Sequence, residues 1–434
     1  MSITFKAEPS DKLTGQIRVP GDKSISHRSI MLGSIAEGVT EVTGFLQGED
    51  SLATLEAFRS LGVKIEGPDK GQVRIHGVGM HGLRAANQPL DVGNSGTSMR
   101  LLAGLLAGQS FTTELVGDAS LSKRPMRRVT DPLAEMGAVI HTSEAGTAPL
   151  TIEGGQSLCA IQYTLPVASA QVKSCLLLAG LYARGQTCVT EPAPTRDHTE
   201  RMLQGFGYPV KRKNATVCLQ GGGKLTATAL DVPADISSAA FFMVGASIAS
   251  GSDLVLEHVG MNPTRIGVIN ILRQMGADIT LSNETTVSGE PVADLRIKSA
   301  PLHGIRIPED QVPLAIDEFP VLFVAAACAQ GQTVLTGARE LRVKESDRIQ
   351  VMADGLAALG ITAQPTEDGM LIEGGQMSGG QVNSHGDHRI AMAFAIASLR
   401  ANGAILIDDC ANVNTSFPGF VDLACACGLN LSVQ

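Results

Sequence analysis

At 434 residues the chain is too long for one simple core, and two domains of about 200 residues each are expected. Hydrophobic residues make up 44% and charged residues 18%, as in a globular protein, and the longest apolar runs are too short to cross a bilayer. The net charge of −9 argues against nucleic acid or an anionic membrane as the main partner, so any anion site has to be local. The opening MSITFKAEPS has neither the basic start nor the apolar stretch of a secretory leader. It reads instead as a strand with no partner in its own repeat, free to complete the C-terminal domain. Eight scattered cysteines without a C-x-x-C pair are expected to be reduced thiols in a cytoplasmic protein.

Next comes PGDKSISHR, residues 20–28, a Pro-Gly turn running into SISHRSIMLGSIAEG. That helix is apolar almost all round, which marks it as a core helix. Its counterparts are SGTSMRLLAGLLAG, SAQVKSCLLLAGLYARG, DISSAAFFMVGASIASG, DEFPVLFVAAACAQG and DHRIAMAFAIASLRANG. After each, a Gly opens a β-patterned run, a polar loop follows, and a second helical run ends at a Gly. The closing glycines are Gly62, Gly137, Gly207, Gly276, Gly360 and Gly428, placed where helix-to-strand connections favour glycine. Six units of roughly 70 residues are too long for common solenoid repeats. The pattern predicts an α/β fold of two similar domains, each of three βαβαββ-type units with helices inside and sheets outside. The change of unit near LDVPADISS puts the boundary at about residue 231, so that 21–231 form one domain and 1–20 with 232–434 the other.

A repeat needs its apolar and glycine positions but not particular charges at helix entrances. At the first entrance Lys23, Ser24 and Arg28 reinforce the positive end of a helix, a setting suited to phosphate or carboxylate. The second entrance offers Asn94, Gly96 and Arg100, and the loop SLSKRPMRR adds Arg124. The third brings Ser169, Ala170 and Gln171, followed by PTRDH with Arg196. The C-terminal half mixes signs: Asp317 and Glu318 begin one core helix, RELRVKESDR groups Lys344, Glu345 and Arg348, and GDHRIAMAF carries Asp387 and Arg389. Each spot alone has an ordinary alternative as a helix cap or a solvated ion pair. Together they suit two anionic substrates with carboxylates ready for proton transfer. No Walker A loop or G-x-S-x-G elbow is present, and no G-x-G-x-x-G opens a strand–helix unit.

The motifs GDKSISHR, GNSGTSMR, ASAQVKS, ELRVKESDR, DHRIAM and TSFP, in this order from about residue 15 to 425, resemble the 5-enolpyruvylshikimate-3-phosphate synthase family. The resemblance implies the inside-out α/β barrel of the enolpyruvyl transferases, with a site in the cleft between the domains. It implies transfer of the enolpyruvyl group of phosphoenolpyruvate to the 5-hydroxyl of shikimate 3-phosphate, by addition and elimination, with no metal or organic cofactor. By motif match, Lys23, Ser24, Arg28, Ser169, Ala170, Gln171, Arg196, Asp317 and Lys344 would hold shikimate 3-phosphate. Lys23, Asn94, Gly96, Arg124, Gln171, Lys344, Arg348 and Arg389 would hold phosphoenolpyruvate. Asp317 would take the hydroxyl proton, Glu345 would protonate the methylene carbon and later deprotonate it, and Lys23 would assist the leaving phosphate, an exchange of these roles among the three being equally compatible with the sequence. Glu345 would need a raised pKa to start protonated, whereas Asp317 must start ionised.

Thr415 in NVNTSFPGF, Ala170 in ASAQ and the TRDH run resemble the second class of that family. A sister transferase acting on UDP-N-acetylglucosamine carries a cysteine in the loop matching DASLSKRPMRR, whereas here the first cysteine is Cys159. A non-catalytic anion-binding relative would be expected to lose Lys23, Asp317 or Glu345, and all three are present. A monomer in the cytoplasm is the expected form.

Overall fold

The fold is described for residues 3–434 of a computed structural model. The chain packs as two compact units. One is Gly21–Val232 with Val287–Gly289, and the other is the chain up to Pro20 with Pro233–Thr286 and Glu290–Gln434.

In the unit that starts at Gly21 the helices are α1 (Lys23–Ile35), α2 (Glu49–Ser60), α3 (Gly96–Ala107), α4 (Arg127–Glu135), α5 (Ala170–Gly180) and α6 (His198–Gly205). Helices α1, α3 and α5 are buried on nearly every face, as their lack of a polar stripe requires. Each leads into a strand, then a more polar helix, then strands that return antiparallel. Thus α1 runs into Ala36–Thr43, which pairs with Gln72–Val78, which in turn pairs with Lys64–Asp69. The same order follows α3, through Thr113–Val116 and Leu150–Ile152, and α5, through Gln186–Thr190 and Thr216–Gln220.

The other unit repeats this plan with α7 (Ile236–Ile248), α8 (Gly267–Gln274), α9 (Phe319–Cys328), α10 (Arg348–Ala358), α11 (His388–Ala397) and α12 (Phe420–Cys427). Helices α7, α9 and α11 pack on one another at its centre. The N-terminal segment supplies two strands to this unit. Phe5–Glu8 lies between Ile405–Asp408 and Asn430–Val433, and Thr14–Ile17 pairs parallel with Asp253–Gly260.

The six repeats read from the sequence are therefore six helix-in, sheet-out units, three in each half. The closing glycines have φ values from +77° to +116°, the left-handed region that stops a helix and turns the chain into the next strand.

The expectation of uniformly reduced thiols is corrected at one pair. Cys188 and Cys218 form a disulfide, with their Cα atoms 4.1 Å apart. They face each other in antiparallel register, and the Cys188 N–H donates away from that partner, to the Ile161 carbonyl. Opposed residues that exchange no backbone hydrogen bonds are those whose Cα atoms approach most closely. A spacing of 30 residues in the chain hides this pairing from local reading.

Candidate active site

In the first unit the candidate residues gather at the N-termini of α1, α3 and α5. Asp22 caps α1 by accepting from the Ile25 N–H, Ser95 caps α3 through Ser98, and Ser169 caps α5 through Val172. The earlier N–H groups of each helix lie outside its own ladder and point along the axis, as an anion site requires.

Lys23 opens α1, and its ammonium is ion-paired with Asp50 of α2, a buried carboxylate. Lys23, Ser24 and Arg28 are expected from the sequence to reinforce the positive end of α1. Asp50 tempers that field, and its role was missed because it stands 27 residues away on a helix that reads as a repeat element. Arg28 is buried one turn further along. Its Nε donates to Thr199 Oγ1 (2.7 Å), its Nη2 to Ser174 Oγ (2.8 Å) and its Nη1 to the Ser24 carbonyl (3.0 Å). Arg28 thus joins α1 to α5 and α6.

Asn94 bridges two charged groups. Its Nδ2 donates to Asp118 Oδ2 (2.6 Å) and its Oδ1 accepts from Arg124 Nη2 (2.8 Å), which orients that guanidinium. Gly96 is the first residue of α3, and a Cβ there would lie 2.9 Å from Arg100 Nη1 and 3.3 Å from Arg124 Nη1. Gln171 Oε1 accepts from Arg100 (2.7 Å) while its Nε2 donates to Thr97 Oγ1 (3.1 Å), so α5 is pinned to the start of α3. Ala170 has no polar side chain and offers a ligand only its backbone N–H. Arg196 sits half-buried in the loop between Gln186–Thr190 and α6.

Behind these entrances His27 is fully buried, its Nδ1 2.8 Å from Thr54 Oγ1, which is 2.6 Å from Ser98 Oγ. Burial lowers its pKa well below the ordinary 6.5, with help from Lys23 and Arg28, so it is neutral.

The second unit assembles Asp317, Lys344, Glu345, Arg348 and Arg389. Arg348 opens α10 and is almost completely buried. It meets Glu345 Oε2 at 2.6 Å, Asp387 Oδ2 at 2.8 Å and Asp317 Oδ1 at 3.4 Å. Burial works against its charge, but Asp387, Glu345 and Asp317 more than offset that and hold it cationic. Lys344 Nζ is 3.3 Å from Asp317 Oδ1, and Arg389 Nη1 donates to the Asp317 carbonyl at 3.0 Å. The loop before α9 is held from below, where buried Glu318 accepts from Ser237 and lies 3.7 Å from Arg389 and 3.9 Å from Arg265. Thr415 is buried and donates to the Asn412 carbonyl (2.7 Å). Three carboxylates, Glu345, Asp387 and Asp317, therefore share one buried guanidinium, with Lys344 and Arg389 as two further cations beside Asp317.

Comparison with known proteins gives one consistent result. The family model described as EPSP synthase (3-phosphoshikimate 1-carboxyvinyltransferase) matches residues 7–423. A 3-phosphoshikimate 1-carboxyvinyltransferase of Methylococcus capsulatus is 70% identical over 432 residues, covering 100% of this chain and 99% of the relative. One from Nitrosococcus oceani is 68% identical and covers 99% and 96% of the two chains. Among solved structures, an EPSP synthase from Acinetobacter baumannii superposes with a TM-score of 0.91 at 62% identity, over 100% of both chains. The enolpyruvyl transferase NikO from Streptomyces tendae shares the fold, with a TM-score of 0.79 at 14% identity over 100% and 99% of the two chains.

Proposed function

The chain belongs to the EPSP synthase family of 3-phosphoshikimate 1-carboxyvinyltransferases, and from that membership we infer which of its groups carry the reaction. The reaction moves the enolpyruvyl group of phosphoenolpyruvate onto the 5-hydroxyl of shikimate 3-phosphate and releases phosphate, a step of the shikimate pathway. The alternative acceptor, UDP-N-acetylglucosamine, is not favoured by relatives at this level of identity.

Shikimate 3-phosphate is held by Lys23, Ser24, Arg28, Ser169, Ala170, Gln171 and Arg196, with Asp317 and Lys344 reaching its reacting hydroxyl. Phosphoenolpyruvate takes Lys23, Asn94, Gly96, Arg124, Gln171, Lys344, Arg348 and Arg389. An alkyl hydroxyl is too weak an acid to attack unaided, so a carboxylate accepts its proton as the C–O bond forms. Asp317 is assigned that role and Glu345 the proton transfer to the methylene carbon, giving a tetrahedral adduct. Removal of that proton by Glu345 expels phosphate, whose departure Lys23 eases. The observation that most supports Asp317 as the base is its place 3.4 Å from buried Arg348 and 3.3 Å from Lys344, cations that favour the ionised carboxylate. Glu345, 2.6 Å from the same guanidinium, has to give up that contact before it can donate a proton. No helix among the described residues is long and apolar enough to cross a membrane. A cytoplasmic monomer is part of the same proposal.

The test is phosphate release from phosphoenolpyruvate without added metal, offering shikimate 3-phosphate or UDP-N-acetylglucosamine. Release with shikimate 3-phosphate alone is expected, and release with the sugar nucleotide alone would overturn the assignment. Asp317→Ala is expected to keep shikimate 3-phosphate binding by calorimetry while turnover falls about a thousandfold. Turnover near that of the unaltered protein would reject Asp317 as the base.

A further inference from the structure

Lys173 carries a charge that the reaction does not use. It lies on α5 two residues beyond Gln171 and is fully buried. Its Nζ is 2.9 Å from Glu191 Oε1 and 2.7 Å from Glu200 Oε1, both carboxylates being buried as well. Burying three charges costs more than burying apolar groups of the same size, so the cluster is a poor device for stability alone. Its placement suggests another use.

Glu191 stands at the start of the loop that carries Arg196, and Glu200 lies in the first turn of α6 just after it. One ammonium therefore clasps the loop at both ends. Glu191 Oε1 also accepts from the Thr195 N–H (3.1 Å) and from the Thr195 hydroxyl, which fixes the residue immediately before Arg196. Arg212, itself partly exposed, brings its Nη2 to 3.5 Å from Glu191 Oε2 and partly balances the second negative charge of the cluster. The neighbours of the clasp continue the connection. Ser174, next to Lys173, and Thr199, next to Glu200, bond each other at 2.8 Å and both accept from Arg28. The entrance of α1, the entrance of α5 and the Arg196 loop are thus joined through two adjacent buried networks.

We propose that Lys173, with Glu191 and Glu200, is a positioning residue that holds the Arg196 loop against the entrance of α5 in register for the phosphate of shikimate 3-phosphate. The inference rests on the substrate reading above. Misplacement by about 1 Å at such a contact is enough to weaken productive binding by one to two orders of magnitude.

The experiment compares the full-length protein with the Lys173→Met/Glu191→Gln/Glu200→Gln variant, which keeps the volume and removes every charge of the clasp. Lys173→Met alone would strand two buried carboxylates and is read beside it. The expected result for the triple variant is a cooperative thermal transition, a KM for shikimate 3-phosphate raised about tenfold or more, and a KM for phosphoenolpyruvate within about twofold. Calorimetry should show the same selective loss of shikimate 3-phosphate affinity. A triple variant with an unchanged KM for shikimate 3-phosphate, or with both KM values raised together, would overturn the positioning role and leave the substrate reading standing. Absence of turnover by the unaltered protein would remove the substrate reading and this inference with it.

Discussion

Arg348 has three carboxylates within 3.4 Å and almost no contact with water, so each neighbour decides how its charge is shared. Gly96 is under a tighter steric constraint. An added methyl would crowd Arg100 and Arg124, which are already held by Gln171 and Asn94. The side-chain tips can yield only by leaving those partners. Gly96→Ala is therefore expected to raise the KM for phosphoenolpyruvate about tenfold and to spare the thermal transition, read from initial rates and a melting curve. His27 predicts a pH effect. Its folded pKa lies well below the ordinary 6.5, so as pH falls the unfolded chain takes up the proton first. Stability is thus full above about 6.5 and declines as pH drops toward the folded value. In His27→Gln the part of that decline due to this group should vanish, measured as denaturation midpoints between about pH 7 and 5.

At the scale of elements, small residues let the core helices approach closely. Gly104 of α3 lies against α5, and a Cβ there would sit 2.1 Å from the Cys175 carbonyl oxygen. Backbone cannot yield as a side-chain tip does, so the helices would have to separate. Gly104→Ala is expected to destabilise the protein by about 2–3 kcal/mol, seen as a lowered midpoint in urea. The same helix pair carries the Arg100–Gln171 bond, so the KM values should worsen along with stability. This contrasts with Gly96, where the cost falls on the site. The repeat made both glycines visible in the sequence, as members of small apolar helices. Which of them faces backbone and which faces guanidinium is a property of the packed pair.

At the scale of the whole molecule, the first strands are far in sequence from the elements they complete. Phe5–Glu8 is an inner strand between Ile405–Asp408 and Asn430–Val433, and Phe5, Ala7 and Leu13 belong to the buried core. A chain starting at residue 18 would lose both N-terminal strands and leave an open sheet edge over an exposed core. It is expected to lose the cooperative thermal transition of the full chain, checked by calorimetry. A normal transition would mean that the two strands are dispensable.

The order of elements, the buried helices and the charged entrances were legible in the sequence because they follow local rules. Apolar periodicity, caps and closing glycines act within a turn or two of chain, as the positive φ at Gly62 or Gly276 illustrates. The residue types for anion binding and proton transfer were legible for the same reason, each at a helix entrance. The partners were not. Asp50 beside Lys23, Thr199 beside Arg28, Cys218 beside Cys188 and the two glutamates around Lys173 lie in other elements, and Arg28 and Thr199 are 171 residues apart. Ion pairs, cross-strand contacts and desolvation depend on distance in space, which only tertiary packing sets. Which groups stand at each helix entrance follows from local rules of the chain, whereas what each one touches, and hence how its charge is held, follows from packing between distant elements.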